Sequence, residues 1–460
     1  MPKPDTETAV GNTTLQLAAQ VASLLPEDIP PQVLSHARLC VLDALGAALR
    51  GSREASSRLI QALAEKEGGA PLATVWGRPF KTGALQAALI NGASAHALDY
   101  DDTHQAVPAH VTATVLPAVF AAAELTGRTI GDSLTGYAAG AEVAIRTGLA
   151  LGRSHVHRGW HPTGTVGTLG AAAGAGRVLG LRPDQIAQAL GLAATQAAGF
   201  MQAVTGNMAK PLNAGKASMN GLTAALLARD GFTGPADIMA IDSDFATAFS
   251  EGFEPARLAF GGAAGWEIPN IAIKLFACCS LAQAAFEGGQ AICREHHLPG
   301  DHISEVEVQA NPRQVKIAGI PHPSTGSEGK FSLAYCTALG LRNAAGGPGD
   351  FEDGCLQSPG LAALVEKVTV RADPALPEVS ARIRVKTTGG RAVEKFIAIA
   401  RGNPGNPASA GEVKAKFRSL AGPALGGQPD QIIPLVLEGA SMQLPLRKLA
   451  ERIAGPAVEN

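Results

Sequence analysis

The chain has 460 residues, of which 46% are hydrophobic and 17% are charged, and its formal net charge at pH 7 is −2. This composition excludes an intrinsically disordered chain, and the charge excludes a nucleic-acid or membrane-surface partner recognised through bulk positive charge. The length is too great for one ordinary core and predicts two or three domains.

The amino terminus, MPKPDTETAVGNTT, lacks the basic and then apolar pattern of a secretory signal. No apolar run reaches the roughly 18 residues that are needed to span a bilayer. The six cysteines form no CxxC pair, which argues against a zinc ribbon, a cysteine-ligated cluster or a disulfide framework. We therefore expect a cytoplasmic protein that spans no membrane.

Most of the chain up to residue 268 has the apolar spacing of α-helices. The segment PPQVLSHARLCVLDALGAALRG begins with proline and ends at glycine, as helices commonly do. Many of these segments are rich in Ala and Gly, which lets neighbouring helices approach closely. Residues 1–268 are therefore predicted to form a large all-helical domain with buried central helices.

From residue 269 the pattern changes to alternating apolar and polar residues, rich in Val and Ile. The segments HISEVEVQA, VEKVTVRADP and ARIRVKTTGGRAVEKFIAIA are predicted strands, and TTGGR is a predicted hairpin turn. Because helical candidates lie between them, residues 269–404 are predicted to form a smaller inserted α+β lid domain. Residues 405–460 are again helical in pattern and are predicted to rejoin the first domain, so the fold class is mainly α.

One short stretch, HALDYDDTHQAVPAH, carries three histidines and three aspartates between two bland apolar segments. Its aspartates cannot all point one way from a helix. We predict that the stretch ends one helix and forms a loop, with Asp102 or Thr103 as the cap of the next helix. It fits a metal site, an acid–base site or a solvated loop, and the density of histidine favours a functional site.

A second histidine cluster, SHVHRGWHPTG, contains His155, His157 and His161. Together with His104 and His110, these imidazoles are a candidate ligand set for zinc or iron. An acid–base role for His161, directly before a helix start, needs fewer assumptions. The amides of that helix start are also a candidate site for a carboxylate.

Three lysines are candidate ligands for an anion. Lys210 and Lys216 lie among small uncharged residues in NMAKPLNAGKASMNG, and Lys274 lies at the predicted boundary between the two domains, where clefts form. The adjacent Cys278 and Cys279 are interpreted as buried small residues, because no motif that activates a thiolate surrounds them.

Five segments, in this order, resemble the MmgE/PrpD family, which includes 2-methylcitrate dehydratases, cis-aconitate decarboxylase and iminodisuccinate epimerase. They are NGASAHALDYDDTH, HPTGTVGTLGAAA, KPLNAGKA, IKLFACC and GSEGKFSLAYCTALGL. The resemblance spans nearly the whole chain. It implies a mostly helical domain built from both chain ends, a smaller α+β lid and a homodimer.

The resemblance also implies site residues, and the positions that match are Asp99, Thr103, His110, His161, Lys210 and Lys274. The residues predicted to be catalytic are Asp99, His110, His161 and Lys210. The residues predicted to bind substrate are Thr103, His104, Lys216 and Lys274. No metal and no cofactor are expected.

Two positions depart from the family pattern. Members commonly carry a histidine five or nine residues after the lysine that matches Lys274, and this chain has Cys279 and Gln283 there. A tyrosine that some members supply before the Pro-x-Pro loop is also missing, and Ile317 and Ile320 occupy that region.

The expected function is that of a cofactor-independent acid–base enzyme acting beside a carboxylate of a small anionic polycarboxylate, in the manner of 2-methylcitrate dehydratase. Removal of a hydroxyl group requires a base, an acid and cations that stabilise the developing charge. The alternatives within the family are an epimerase of an imino- or amino-dicarboxylate and a cis-aconitate-type decarboxylase. The alternatives from other classes are a metal-dependent hydrolase and a non-catalytic binding protein.

Overall fold

A computed structural model describes residues 12–205, 207–235, 237–298 and 302–455. The helices are α1 Thr13–Ser23, α2 Pro31–Gly51, α3 Ala55–Glu67, α4 Ala84–His96, α5 Val111–Thr126, α6 Ile130–His157, α7 Pro162–Leu179, α8 Pro183–Ala194, α9 Ala209–Arg229, α10 Asp244–Phe249, α11 Gln283–His296, α12 Pro312–Ala318, α13 Gly326–Gly329, α14 Leu333–Leu341, α15 Asp353–Leu356, α16 Pro359–Val365, α17 Ala410–Ala421, α18 Ile433–Leu437 and α19 Arg447–Ile453. The strands are β1 Ala73–Thr74, β2 Lys81–Thr82, β3 Thr103–His104, β4 Ile271–Ala272, β5 Ile303–Ala310, β6 Val368–Ala372, β7 Ala381–Thr387 and β8 Ala392–Ile397. None of the helices in these described ranges is long and apolar enough to cross a membrane.

The first part of the chain forms the predicted bundle of helices. α1 starts where the Asn12 side chain accepts a hydrogen bond from the Leu15 amide, and α2 starts with a proline, which has no amide hydrogen to leave unpaired. α5 is buried along its length from Val111 to Ala123. The prediction of buried central helices is therefore confirmed.

Glycine sets the distance between α6 and α7. A Cβ atom on Gly140 would lie 2.5 Å from the carbonyl oxygen of Gly170, and one on Gly174 would lie 2.8 Å from the carbonyl oxygen of Gly136. Because both distances are too short for a side chain, the two helices pack backbone to backbone. This contact explains glycines that otherwise lower the helix propensity of the segment.

The buried apolar residues form two large clusters. The first contains residues of the N-terminal helices together with residues of α17, α18 and α19, among them Phe417 and Ile453. The second is drawn mainly from residues 276–400. The last helices therefore pack in the same core as the first ones. The domain boundaries after residues 268 and 404 stay predictions.

The second part of the chain contains a four-stranded sheet with the strand order β6-β5-β7-β8. β5 pairs parallel with β6 and antiparallel with β7, and β7 pairs antiparallel with β8 across a turn in which Gly390 has φ +81°. α11 packs against β7 and β8. These pairings confirm the predicted strands and the hairpin, and the fold is mainly α, as expected.

Gly140→Ala is expected to lower the free energy of unfolding by about 1–3 kcal/mol, the usual cost of overpacking a core, because the new methyl group overlaps the Gly170 carbonyl oxygen. Urea denaturation followed by circular dichroism measures the change. Gly354→Ala is the control, because Gly354 also lies in a helix but has open space around its Cβ position. Equal effects of the two substitutions would contradict the close packing of α6 on α7.

Candidate active site

A cavity of about 520 Å³ lies between the two parts of the fold and is large enough for a small molecule. Its lining includes six of the predicted site residues, namely Asp99, Thr103, His110, His161, Lys210 and Lys274. Further lining residues with polar or aromatic side chains are Gln105, Arg153, His155, His157, Cys279, Ser280, Arg313, Lys316 and Phe331. Residues that are far apart in the sequence therefore meet around one space.

Asp99 is the centre of the charged groups. Its Oδ1 atom lies 2.8 Å from Nζ of Lys210 and 2.6 Å from Nζ of Lys274, and Lys274 also donates to the Asp99 carbonyl oxygen at 2.7 Å. Burial alone would raise the pKa of Asp99, but the two ammonium groups hold it well below its usual range. Asp99 is therefore an anion that fixes two lysines. Its backbone has φ +54°, a conformation that the short side chain of aspartate tolerates.

Asp101 holds two histidines. Its Oδ2 atom lies 2.9 Å from Nδ1 of His96 and 3.1 Å from Nδ1 of His110, and the two imidazole rings are 4.2 Å apart. Nε2 of His110 lies 3.8 Å from Oδ1 of Asp99. The hydrogen bond to Asp101 fixes the tautomer and the ring orientation of His96, whereas Nδ1 of His110 only lies close to the same carboxylate. The Nε2 atom of His110 is directed toward Asp99 and the charged groups of the cavity.

His110 and His161 are neutral at pH 7, because the pKa of each lies below its usual range. Burial lowers the pKa of His110 to about 3, although Asp101 opposes this shift. Burial, His96 and Lys210 lower the pKa of His161 well below its usual range. Asn213 donates a hydrogen bond from Nδ2 to Nδ1 of His161 at 3.1 Å, which leaves the ring proton on Nε2.

A buried ion pair fixes the backbone that carries these groups. Nζ of Lys416 lies 2.6 Å from Oδ1 of Asp43, and it donates to the carbonyl oxygens of Tyr100 at 2.6 Å and Lys274 at 2.8 Å. Tyr100 stands between Asp99 and Asp101 in the chain. One ammonium group from α17 therefore braces both the aspartate loop and the segment of Lys274.

The two arginines of the lining share one carboxylate. Oε1 of Glu378 lies 3.0 Å from Nη1 of Arg153, and its Oε2 lies 2.5 Å from Nη1 of Arg313. Arg153 belongs to α6, just after a break in the helix at Gly152, and Arg313 belongs to α12. Glu378 therefore links the two parts of the fold beside the cavity.

Asp102 stabilises the start of α5 and does not line the cavity. Its carboxylate accepts a hydrogen bond from the Thr112 hydroxyl, which lies 2.6 Å from the Tyr137 hydroxyl. Burial raises the pKa of Asp102 to about 8. The prediction that Asp102 or Thr103 is the cap is wrong, because the residue before α5 is His110. Asp102 instead contacts the first turn of α5 through the hydroxyl group of Thr112.

Two predicted substrate ligands lie outside the cavity. Lys216 is exposed on α9. His104 is buried, and its Nε2 lies 3.3 Å from Oε2 of Glu267. Because successive residues of a strand face opposite sides, β3 directs Thr103 and His104 apart. We therefore remove Lys216 and His104 from the candidate substrate ligands.

The five histidines considered as a metal set do not converge. Both ring nitrogens of His155 are engaged, at 2.9 Å by a backbone carbonyl and at 2.7 Å by the hydroxyl of Thr165. Within the described residues, another group of donor atoms lies close enough together to ligate a metal ion. These atoms belong to His96, Asp101 and His110. In that set the carboxylate already lies within 3.1 Å of each imidazole.

The two residues that stand where family members commonly carry a histidine, Cys279 and Gln283, differ in their surroundings. Gln283 is buried and holds a loop, because its Oε1 accepts from the Phe276 amide at 3.2 Å and its Nε2 donates to the carbonyl oxygens of Phe276 at 2.9 Å and Cys278 at 3.1 Å. Cys279 lines the cavity. The thiol of Cys279 therefore faces the cavity, and the side-chain amide of Gln283 holds the backbone of the residues that precede Cys279.

Sequence reasoning missed several residues of the site. His96 and Asp101 lie in HALDYDDTHQAVPAH, and their positions at the end of α4 and in the following loop were a usable signal. Apart from their charge, nothing in the sequence around Arg313 and Lys316 indicates that they line the site. Lys416 is 142 residues from Lys274, and no pattern in the sequence connects the two.

Lys416→Met is expected to lower the free energy of unfolding by about 3–5 kcal/mol at pH 8, the usual cost of removing one partner of a buried ion pair. The loss is expected to be smaller at pH 5. Burial raises the pKa of Asp43 to about 6, with Lys416 opposing the shift, so at pH 5 the carboxyl group is protonated and needs no cation. Urea denaturation at the two pH values measures the difference.

Lys414→Met is the matched control, because Lys414 lies on the same helix and is half-buried. It is expected to change the free energy of unfolding by less than about 0.5 kcal/mol. A loss in Lys416→Met that does not depend on pH would contradict the pairing with Asp43.

Two family models match the chain. The MmgE/PrpD N-terminal domain matches residues 15–258, and the MmgE/PrpD C-terminal domain matches residues 276–438. Together they cover most of the sequence, and they confirm the resemblance that the five segments indicated.

The chain is also similar to proteins that are named cis-aconitate decarboxylase or cis-aconitate decarboxylase-like protein. The chain is 31% identical over 450 residues to the cis-aconitate decarboxylase-like protein oryM of Aspergillus oryzae, with 90% of this chain and 91% of the relative covered. It is 30% identical over 444 residues to the cis-aconitate decarboxylase of Aspergillus terreus, with 90% of each chain covered. It is 26% identical over 473 residues to the cis-aconitate decarboxylase of Mus musculus, with 98% and 95% covered. The chain belongs to the MmgE/PrpD family of enzymes.

Proposed function

We propose that this protein is a cofactor-independent lyase that decarboxylates a small unsaturated polycarboxylate of the cis-aconitate class. The observation that carries the proposal is the charge of the cavity lining. Its cationic residues are Arg153, Lys210, Lys274, Arg313 and Lys316, and Asp99 is the only carboxylate among the described lining residues. A substrate with several carboxylates complements this lining.

The relatives named above favour decarboxylation over the dehydration of 2-methylcitrate that the sequence analysis placed first. The chemistry of the lining agrees with this choice. Dehydration needs a base for a carbon-bound proton and an acid for the leaving hydroxyl group. Cys279 replaces one possible histidine in the lining, and decarboxylation depends less on a second imidazole because no carbon-bound proton is removed.

Decarboxylation moves negative charge from one carboxylate toward another. In cis-aconitate, the bond between the methylene carbon and its carboxylate breaks and carbon dioxide leaves. The electron pair moves through the double bond, and the charge spreads onto a remaining carboxylate as an enediolate. Cations held beside that carboxylate stabilise the transition state. Lys210 and Lys274, which Asp99 positions, suit this role.

Proton NMR in deuterium oxide tests the reaction class. We expect cis-aconitate to lose one carboxylate and to take up one deuterium atom, and we expect no change in 2-methylcitrate, citrate or iminodisuccinate. Elimination from 2-methylcitrate with no reaction of cis-aconitate would overturn the proposal. Metal analysis of protein purified without a His-tag tests the cofactor-independent part, which a stoichiometric transition metal would contradict.

His161→Ala and Lys210→Ala are each expected to lower turnover at least about a hundredfold, the usual scale for removing one donor that stabilises charge in the transition state. Initial rates at saturating cis-aconitate measure the effect. Lys216→Ala is the matched control, because Lys216 is an exposed lysine on the same helix as Lys210. Near-normal turnover in either test variant would remove that residue from the mechanism.

The homodimer implied by the family is part of the same proposal. It is supported by the membership of the chain in the MmgE/PrpD family, which the resemblance described as usually homodimeric. Sedimentation velocity measures the mass in solution, and a monomer at micromolar concentration would contradict the dimer.

A further inference from the structure

We propose that the thiol of Cys279 donates the proton that completes the decarboxylation. The inference deepens the proposed function and rests on it. It assigns a catalytic role to a residue that the family pattern does not supply, at a position where members commonly carry a histidine.

The geometry places Cys279 in the lining and fixes its backbone. Only 8% of the residue is accessible, and it lines the cavity together with Lys274 and Leu281. Its amide donates to the carbonyl oxygen of Lys330 at 3.0 Å, and its carbonyl oxygen accepts from the amide of Ala282 at 2.9 Å. Gln283 holds the preceding residues from behind. The thiol is therefore attached to a rigid segment rather than to a mobile loop.

The two histidines and two lysines nearest Asp99 are less suited to donate a proton. His110 and His161 are neutral imidazoles, which act as bases at pH 7. Lys210 and Lys274 are both committed to Asp99. Burial raises the pKa of Cys279 to about 11, so its thiol keeps its proton at pH 7. A buried, protonated thiol is a competent acid toward a carbanion.

The step balances within the substrate and the thiol. The bond from the methylene carbon to its carboxylate breaks, and carbon dioxide leaves. The electron pair of that bond forms the new double bond, and the pair of the old double bond moves to the carbon next to the second carboxylate. That carbon takes the proton from Sγ of Cys279. The resulting thiolate lies in the field of Lys274 and Lys210 and recovers a proton from water when the product leaves.

The position of the thiol also predicts stereochemistry. Cys279 belongs to the second part of the fold, whereas His110 and His161 belong to the helical part. The thiol therefore approaches the substrate from a different side of the cavity than the two imidazoles. In deuterium oxide the wild-type enzyme is expected to place deuterium on one face of the carbon. The configuration of the deuterated product is measured by NMR of a chiral derivative.

Cys279→Ala is expected to lower turnover at least about a hundredfold and to give deuterium in both configurations, because water then supplies the proton. Cys279→Ser keeps a hydroxyl group at the same place and is expected to retain a single configuration at a reduced rate. Cys278→Ala is the matched control, because Cys278 is the adjacent buried cysteine and does not line the cavity. It is expected to keep the configuration and most of the turnover.

Circular dichroism, together with calorimetric binding of the unreactive tricarballylate, shows whether each variant folds and binds a tricarboxylate. A folded Cys279→Ala enzyme with wild-type turnover and one configuration would overturn the role of Cys279 and leave the proposed function intact. If Cys279→Ala does not fold, Cys279→Ser decides the question, because loss of the single configuration in that variant would also overturn the role. A wild-type enzyme that decarboxylates none of the tested acids would overturn both proposals.

Discussion

The contact of one carboxylate with two ammonium groups is the interaction on which the rest of the site depends. Lys210 and Lys274 come from distant parts of the chain and would repel each other in a buried wall. Asp99 lies within 2.8 Å of both, which makes their proximity possible. One carboxylate cannot neutralise two cations, so a positive charge remains beside the cavity. The same cations contribute to the low pKa of the histidines, which links the binding of an anion to the protonation of the imidazoles.

This contact requires a rigid frame, and the fold supplies it by two means. Glycines at the contact of α6 with α7 let the central helices approach to backbone distance. The buried pair of Lys416 and Asp43 then fixes the two backbone segments that carry the charged groups. Neither the glycine contact between α6 and α7 nor the ion pair of Lys416 with Asp43 lines the cavity. The chemistry of the lining therefore depends on packing and ion pairing in the layers behind it.

The sequence predicts the helices and strands because their apolar spacing is local, and the family resemblance predicts six residues of the lining because the matching motifs are specific. It does not predict how three neighbouring aspartates divide their roles. Asp99 holds lysines, Asp101 holds histidines and Asp102 stabilises α5, and only the backbone conformation of the loop decides this. His104 was included because it lies in the histidine-rich stretch HALDYDDTHQAVPAH, and no local pattern shows that its side chain contacts Glu267. The role of Lys416 was not predicted, because its partners at residues 100 and 274 lie 316 and 142 positions away in the sequence.

The position of Lys416 after all of its partners in the chain has a consequence for biosynthesis. A ribosome releases a chain from its amino terminus at about 5–20 residues per second. Asp43, Asp99 and Lys274 therefore all emerge before the lysine that braces them. Until α17 docks, Asp43 has no cation and the aspartate loop has no support from behind. A nascent chain that already contains every residue of the lining therefore still lacks the ammonium group that braces the aspartate loop, until α17 has been synthesised and has docked.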